Sequence, residues 1–444
     1  MKYQEYAPEP PQDRRDFFQV AATVGGGLTL GAARLKAEAS RKRESGSKQD
    51  DLRVGVVGIG ARGRHLVSLL LGLQGVSIRA VGDIVPTRVA WAQQAAVKAG
   101  HGNPAGYDRG PTDFERLCER EELDLVINAT PWNWHVPICV AAMKAGKHAA
   151  VEVPAAVNEE GCWQLVETAE KTGRHCVMLE NCCYGRTEMM FLNMVRKGLL
   201  GTVVHGEAGY MHEYRRGWID WRYEQTIGRD GNLYPTHGLG PVAQCMNIDR
   251  GDRFDYLVSM STRSSGMNDY FRRTLGPEHP KAKVKYSQGD VNVSMLRTVG
   301  GSTITLGYDV QLPRPYSRIN VVQGTKGIAQ GYPERISIEG AGNEHPWKSL
   351  EDYRQDYEHP LWQQLHAQAE GKGHGGMDYL VLYRLVQSLR AGTEPDMDVY
   401  DAASWSVVSA LSEQSVANRS RPVDFPDFTR GKWKTRAPLG IVTA

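Results

Sequence analysis

The sequence is poor in the features that assign a function quickly. Seven cysteines are spread over 444 residues, an odd number with no C-x-x-C spacing, so they form no zinc or redox pattern. The adjacent Cys182 and Cys183 read as packing residues. Charge of one sign is scarce: the formal net charge is +2, and the one dense basic block is Arg41-Lys42-Arg43, which leaves no electrostatic footprint for nucleic acid. No apolar run is long enough for a stable membrane span. The best, Val20 to Leu35, is short and interrupted by Gly25-Gly26-Gly27. Internal repeats and low-complexity segments are lacking too. What remains, 41% hydrophobic and 23% charged residues over a length sufficient for two packed domains, is ordinary for a soluble globular enzyme.

The chemistry begins at Leu52 to Gly63. Val54, Val56 and Val57 make a short β-branched run that leads into Gly58, Gly60 and Gly63 at G-x-G-x-x-G spacing, and a helix follows. In a dinucleotide fold the first glycine permits the turn and the second lets the backbone approach a pyrophosphate. The third lets helix pack on strand, and the phosphates rest on the helix N-terminus. A second strand, Val76 to Val81, ends at Gly82-Asp83, about twenty residues past the last glycine, where a carboxylate takes the ribose hydroxyls. An acid there repels a 2′-phosphate, so NAD is favoured over NADP, although Arg62 and Arg88 temper the preference. The alternative is a glycine-rich turn with no ligand.

Strand and helix then alternate. The expected helices are His65 to Leu73, Thr87 to Ala99, Asp113 to Glu121, Val136 to Ala145 and Glu159 to Thr172. The expected strands are Leu125 to Ala129, His148 to Glu152 and Cys176 to Leu179. This order predicts an α/β Rossmann domain over 51–185, with a doubly wound parallel sheet whose crevice is lined by the loops 130–135, 152–154 and 180–184. Beyond Arg186 period-two stretches take over at Val203 to Tyr210, Val291 to Val299, Ser302 to Val310 and Arg318 to Val322. They predict a C-terminal α+β domain over 186–444, built on an open, mainly antiparallel sheet. Helices are expected at Met189 to Lys197, Pro241 to Met246, His374 to Ala391 and Asp401 to Ala417, with a tail from Ser420 that wraps the surface.

The leader differs from the rest. Asp13-Arg14-Arg15-Asp16-Phe17-Phe18 followed by a weak apolar core looks like a twin-arginine export signal over 1–39, with a plausible cleavage site at Ala37-Glu38-Ala39 and a polar linker over 40–50. A disordered amphipathic leader is the alternative. Export in the folded state, to the periplasm or beyond, is the expectation, and the crowding of six of the cysteines into the first half suits it.

Two stretches could carry chemistry. Trp132-Asn133-Trp134-His135 follows a strand, where an aromatic can cover the nicotinamide end of a dinucleotide or plug a domain interface. Gly231 to Pro241 clusters Tyr234, Pro235, Thr236 and His237 in a glycine-bounded loop before a helix. His237 is the side chain there best able to exchange protons near neutral pH; a structural loop histidine is the alternative.

The outline resembles the superfamily of glucose-fructose oxidoreductase, inositol dehydrogenase and rhizopine-catabolism proteins. Its members carry Glu-Lys-Pro where this chain has Glu152-Val153-Pro154, and the missing lysine argues against an ordinary dehydrogenase mechanism. The departure is similar to one branch, the bacterial NAD-dependent α-N-acetylgalactosaminidases. That likeness extends through Asp83, residues 132–135, Glu180-Asn181-Cys182-Cys183-Tyr184, residues 231–241 and Arg314-Pro315-Tyr316-Ser317-Arg318. To Gly58 and Gly60, given by the glycine spacing, the resemblance adds NAD contacts from Arg62, Gly63, Asp83, Trp132, Asn133, Trp134, His135, Glu152, Val153 and Asn181. It implies sugar contacts from Tyr210, Arg222, Tyr234, Pro235, Thr236, His237 and Tyr316. It also implies a glycan with terminal N-acetylgalactosamine as substrate and no metal, and it is compatible with a homo-oligomer. NAD-dependent glycosidases stand outside the two-carboxylate rule. Oxidation at C3 makes C2 acidic, so the aglycone can be eliminated, water added and the hydride returned. His237 is the candidate at the C3 hydroxyl, with Tyr316 or Tyr184 transferring protons at C2 or the leaving group. A periplasmic NAD-dependent sugar oxidoreductase and a sugar-binding protein without catalysis are the alternatives.

Overall fold

A computed structural model describes residues 51–120, 122–216, 220–340 and 346–441. The leader, its arginine pair and the linker lie outside the described residues, as does Glu121. Six strands form the first sheet: β1 (Leu52–Val57), β2 (Val76–Gly82), β3 (Ala105–Tyr107), β4 (Leu125–Asn128), β5 (His148–Val151) and β6 (Cys176–Met178). All pairs are parallel and the order is β3-β2-β1-β4-β5-β6, so the valine-rich β1 sits at the centre with Val54 and Val56 wholly buried. Helices cover its faces. The helix Glu159–Thr172 shows why its bounds were readable: the Asn158 side chain accepts from the Gly161 N–H at 2.8 Å, two glutamates follow, and Gly173 closes the end at φ +65°. The three-residue β3 carries no run long enough to be seen in the sequence.

The second sheet has nine strands: β7 (Val203–Met211), β8 (Phe254–Ser261), β9 (Asn292–Thr298), β10 (Thr303–Asp309), β11 (Val321–Gly324), β12 (Gly327–Gly331), β13 (Glu334–Ile338), β14 (Lys348–Ser349) and β15 (Val423–Asp424). Their order is β14-β13-β12-β11-β7-β10-β9-β8-β15, with β7 and β10 parallel and the remaining pairs antiparallel. Alternation is clean on β9, where Ser294 and Leu296 face the core while Val293 and Met295 face outward.

Four expectations need correction. The strand expected from Arg318 begins at Val321, because Ile319 and Asn320 take positive φ (63° and 51°) and break the extended run. Pro241 does not open its helix, which runs Thr236–Cys245 with the proline inside, so His237 lies in the first turn. The helix expected over 401–417 is two, Val399–Ser406 and Val408–Ala417. The tail does more than wrap the surface: β15 pairs with β8, Phe428 and Ile441 are buried, and Arg196 donates to the carbonyls of Ile441 (2.7 Å) and Leu439 (2.6 Å).

The change of sheet type after residue 185 does not separate two cores. One buried cluster runs through both sheets. The helix Met377–Ala391 returns to pack on the helix Ala61–Leu71 and on the turn Asn181–Tyr184, and the helix Val399–Ser406 packs on Glu159–Thr172 and β6.

Candidate active site

The glycine turn is built for a pyrophosphate. Gly58 has φ +89° and lies so close to the β4 end that a Cβ would sit 2.7 Å from the Ala129 carbonyl carbon; one on Gly63 would lie 1.8 Å from the Gly58 oxygen. A Cβ on Gly60 would meet nothing within 4 Å, so this glycine faces open space at the N-terminus of the helix Ala61–Leu71. At the end of β2 the Asp83 carboxylate accepts from the N–H groups of Ile59 (2.7 Å) and Val85 (2.9 Å), which holds it beside the turn. Backbone room, a helix N-terminus and a carboxylate in this arrangement fit NAD.

A clamp joins this turn to the rest of the chain. Arg62 bonds Glu152 at 2.6 Å and Asp378 at 2.9 Å, and Asp378, fully buried, also accepts from Asn181 (2.7 Å) and pairs with His65 (2.9 Å) and His374 (2.6 Å). Burial works against the charge on Asp378, but His374 and Arg62 outweigh it and hold the carboxyl well below the usual range.

Arg62, Glu152 and Asn181 line a cavity of about 810 Å³ together with Tyr210, His212, Arg222, Tyr234, His237, Tyr316 and Arg318. His237 is held by Glu180 at the end of β6: Nδ1 lies 2.6 Å from Oε1 of a wholly buried carboxylate that also accepts from the Cys182 N–H at 3.0 Å. Burial disfavours that charge, yet the His237 imidazole and the hydrogen bonds prevail and keep the carboxyl below its ordinary value. With Nδ1 engaged, Nε2 is the nitrogen left for chemistry. Around it stand Tyr234, with ring centroids 4.9 Å apart, and Tyr210 at 5.3 Å. The Arg222 guanidinium lies among the rings of Trp132, Trp221 and Tyr234 at 5.2–5.4 Å. Glu180, Cys182 and His237 also put three ligand-type atoms within 4.8 Å of one another. Burial pushes the Cys182 thiol well up, so a cation there would have to displace both its proton and the Glu180–His237 hydrogen bond.

Next to Tyr210 and His212, Arg318 donates to the Tyr316 hydroxyl at 2.8 Å and to Glu188 at 2.5 Å. Burial raises the phenols of Tyr210, Tyr234 and Tyr316, so all three are protonated at neutral pH. His212 is a second imidazole of the cavity, with its ring Nε2 unpartnered among the described residues, and burial, then His237 and Arg222, keep it neutral.

Other expected site residues lie elsewhere. Tyr184 is buried and donates to Asp396 at 2.9 Å, outside the cavity wall, so it is corrected from a proton-transfer residue to a structural one. His135 is buried with both ring nitrogens on carbonyls, Pro154 (2.7 Å) and Thr130 (2.9 Å), and pins two crevice loops together. Trp132 donates to the Val153 carbonyl at 3.1 Å and packs behind Tyr234. Asn133 is exposed on a separate groove with Val157 and Gln164, and Trp134 packs edge-on to Phe114. Pro235 and Thr236 are buried behind the wall, and Val153 is buried where the superfamily has lysine. No lysine is among the described residues lining the cavity. Sequence reading missed Glu180 and Asp378 as partners, and His212, Glu188 and Arg318 as lining residues. One signal was available: His212 is two residues past Tyr210 at the end of β7, on the same face.

The glycine turn, Asp83 and the sheet order define the first class: an NAD-binding Rossmann protein with a sugar-sized, aromatic-walled cavity. Residues 52–180 match the oxidoreductase family with an NAD-binding Rossmann fold. A structure of an NAD-binding oxidoreductase from Klebsiella pneumoniae superposes with a TM-score of 0.67 at 18% identity, over 85% of this chain and 99% of that one, and so shares the fold. Residues 184–435 match the C-terminal domain of glycosyl hydrolase 109. A glycosyl hydrolase family 109 protein of Solibacter usitatus is 48% identical over 96% of this chain and 99% of its own. An alpha-N-acetylgalactosaminidase of Shewanella oneidensis is 46% identical over 97% and 99%. The chain belongs to glycosyl hydrolase family 109, an NAD-binding glycosidase family on an oxidoreductase fold.

Proposed function

We propose that this protein releases terminal α-linked N-acetylgalactosamine from glycans by a redox-neutral route. One observation carries the reading: the carboxylate-backed His237 lines the same cavity as Arg62, Glu152 and Asn181 of the glycine-turn clamp, while the described residues of the wall offer no unengaged carboxylate pair. Of the acids lining it, Glu152 is tied to Arg62 (2.6 Å), Glu188 to Arg318 (2.5 Å) and Glu334 to Thr187 (2.5 Å). Direct displacement at C1 in most glycosidases uses two carboxylates, and the described residues of this wall do not present a free pair.

NAD, held by the glycine turn and Asp83, supplies a hydride acceptor and donor for C3 of the sugar. His237 takes the C3 hydroxyl proton through Nε2, and Glu180 stabilises the imidazolium that results. His212, neutral and with its ring Nε2 unpartnered among the described residues, is the imidazole available to the C2 proton. Tyr316, protonated, serves the leaving oxygen. The Arg14-Arg15 leader supports export in the folded, NAD-loaded state to the periplasm or beyond.

The test is an aryl α-N-acetylgalactosaminide given to purified protein with no added cofactor, in heavy water. Aglycone should appear with no net change in NADH absorbance, and the product sugar should carry deuterium at C2. In a parallel reaction with NAD added, NADH accumulating in step with substrate would make the protein a sugar oxidoreductase, and product unlabelled at C2 with no transient NADH would sink the redox route.

A further inference from the structure

Tyr316 presents its phenol to the cavity from a mount that the proton transfer itself does not explain. Its oxygen accepts a hydrogen bond from Arg318 Nη1 at 2.8 Å, and a phenol oxygen that accepts on one side must direct its own O–H elsewhere. The residue is 44% exposed and lines the cavity, so that hydrogen is free to turn toward a substrate there. Arg318 cannot swing away. Its guanidinium packs against the rings of both Tyr316 (5.6 Å) and Tyr332 (5.5 Å), and Nη2 is tied to the buried carboxylate of Glu188 at 2.5 Å. Glu188 lies near the start of the helix Arg186–Arg196 and Arg318 just before β11, so two distant elements meet to fix one guanidinium under one hydroxyl.

We infer that the Glu188–Arg318 pair positions and polarises Tyr316 as the acid that protonates the departing aglycone, an inference that rests on the elimination route proposed above. The balance closes. As the base removes the C2 proton from the 3-keto sugar, the C2–H pair becomes the C1–C2 double bond and the C1–O pair leaves with the aglycone oxygen. That oxygen takes the Tyr316 proton, and the phenolate left behind is held by the two-point hydrogen-bonded cation beside it. When water adds, its hydroxyl bonds to C1, its proton returns to Tyr316, and C2 regains a proton from the base. Burial, then Cys182, work against a phenolate at this position and keep the phenol protonated at rest; Arg318 is the group acting in the opposite direction. Arg318 is thus a positioning residue, and Tyr316 is the catalytic one.

The discriminating measurement is the dependence of kcat/KM on leaving-group acidity. A dinitrophenyl aglycone departs without protonation, whereas a methoxyphenyl or alkyl aglycone needs it. Arg318→Gln should lose less than about threefold on the former and about a hundredfold or more on the latter, with Tyr316→Phe reproducing the pattern. Arg318→Lys should restore part of the loss. Because Arg318→Gln leaves Glu188 buried without its cation, the double variant Arg318→Gln/Glu188→Gln is measured alongside it; it removes both charges and should show the same steepened dependence. Equal losses on every aglycone, or none, in the variant that folds would overturn the inference. Failure of the underlying route is read separately: wild-type product unlabelled at C2 together with absent transient NADH condemns elimination itself, whatever the slopes.

Discussion

Replacing Glu180 by glutamine isolates the electrostatic half of the His237 dyad. The side chain is wholly buried and nearly isosteric with its replacement, so the cavity wall keeps its shape. The carboxylate sits 2.6 Å from Nδ1, and a charge-assisted hydrogen bond of this kind is worth about 1.5–3 kcal/mol against roughly 1 for a neutral one. The difference falls on the state in which His237 holds the extra proton. If the amide oxygen faces Nδ1, the loss is on the order of 1–2 kcal/mol, or about 5- to 30-fold in kcat. If the amide nitrogen faces it, the imidazole takes the wrong tautomer and the loss is larger. NAD retention should stay at the wild-type level, because Asp83 and the glycine turn are untouched, and KM should change little. The assay is steady-state release of aglycone, with bound NAD measured after denaturation. A Glu180→Gln enzyme with wild-type kcat would refute the dyad, and one that had lost its NAD would mean that Glu180 supports the cofactor end instead.

Tyr184→Phe should leave kcat within experimental scatter of wild type while lowering stability by about 1 kcal/mol in denaturant unfolding, since it removes one buried hydrogen bond to Asp396; a large fall in kcat would restore the proton-transfer role rejected above. Asp378→Asn should lower the melting temperature and loosen NAD retention together, because breaking a buried pair costs about 3 kcal/mol and Arg62 is released at the glycine turn; loss of stability with unchanged retention would uncouple the clamp from the cofactor. Burial, then Asp401, push the Asp249 carboxyl up to about 7. The folded state therefore binds a proton that the unfolded state releases near pH 4, and wild-type stability falls as pH rises from about 4 to 7, by on the order of 4 kcal/mol. Asp249→Asn, whose backbone at φ 62° asparagine tolerates, should gain stability over wild type at pH 8 and not at pH 4.5; equal gains at both would dispose of the titration.

The Rossmann half was legible because its signals are local. A valine run, three glycines and an acid at fixed spacing place the cofactor turn, and the caps of Glu159–Thr172 lie within its own sequence. The string around His237 was legible for its composition, but its helix was not, since Pro241 reads as a start and in fact sits inside. The partners were out of reach for a physical reason: Glu180 is 57 residues from His237 and Asp378 is 316 from Arg62, separations over which no periodicity carries information. Tyr184 failed differently. Its loop does close the crevice, but the turn Asn181–Tyr184 carries the ring into the seam with Asp396 instead of into the cavity.

The Arg62–Asp378 clamp also sets an order of events during synthesis. The glycine turn leaves the ribosome early, yet the carboxylate that fixes its arginine, and the Ile441 carbonyl that Arg196 and His359 hold at 2.7 and 2.9 Å, are made more than three hundred residues later. A nascent chain thus presents the whole first sheet with its nucleotide edge still loose, and the cofactor cleft acquires its final geometry only once Asp378 has been made and has reached Arg62.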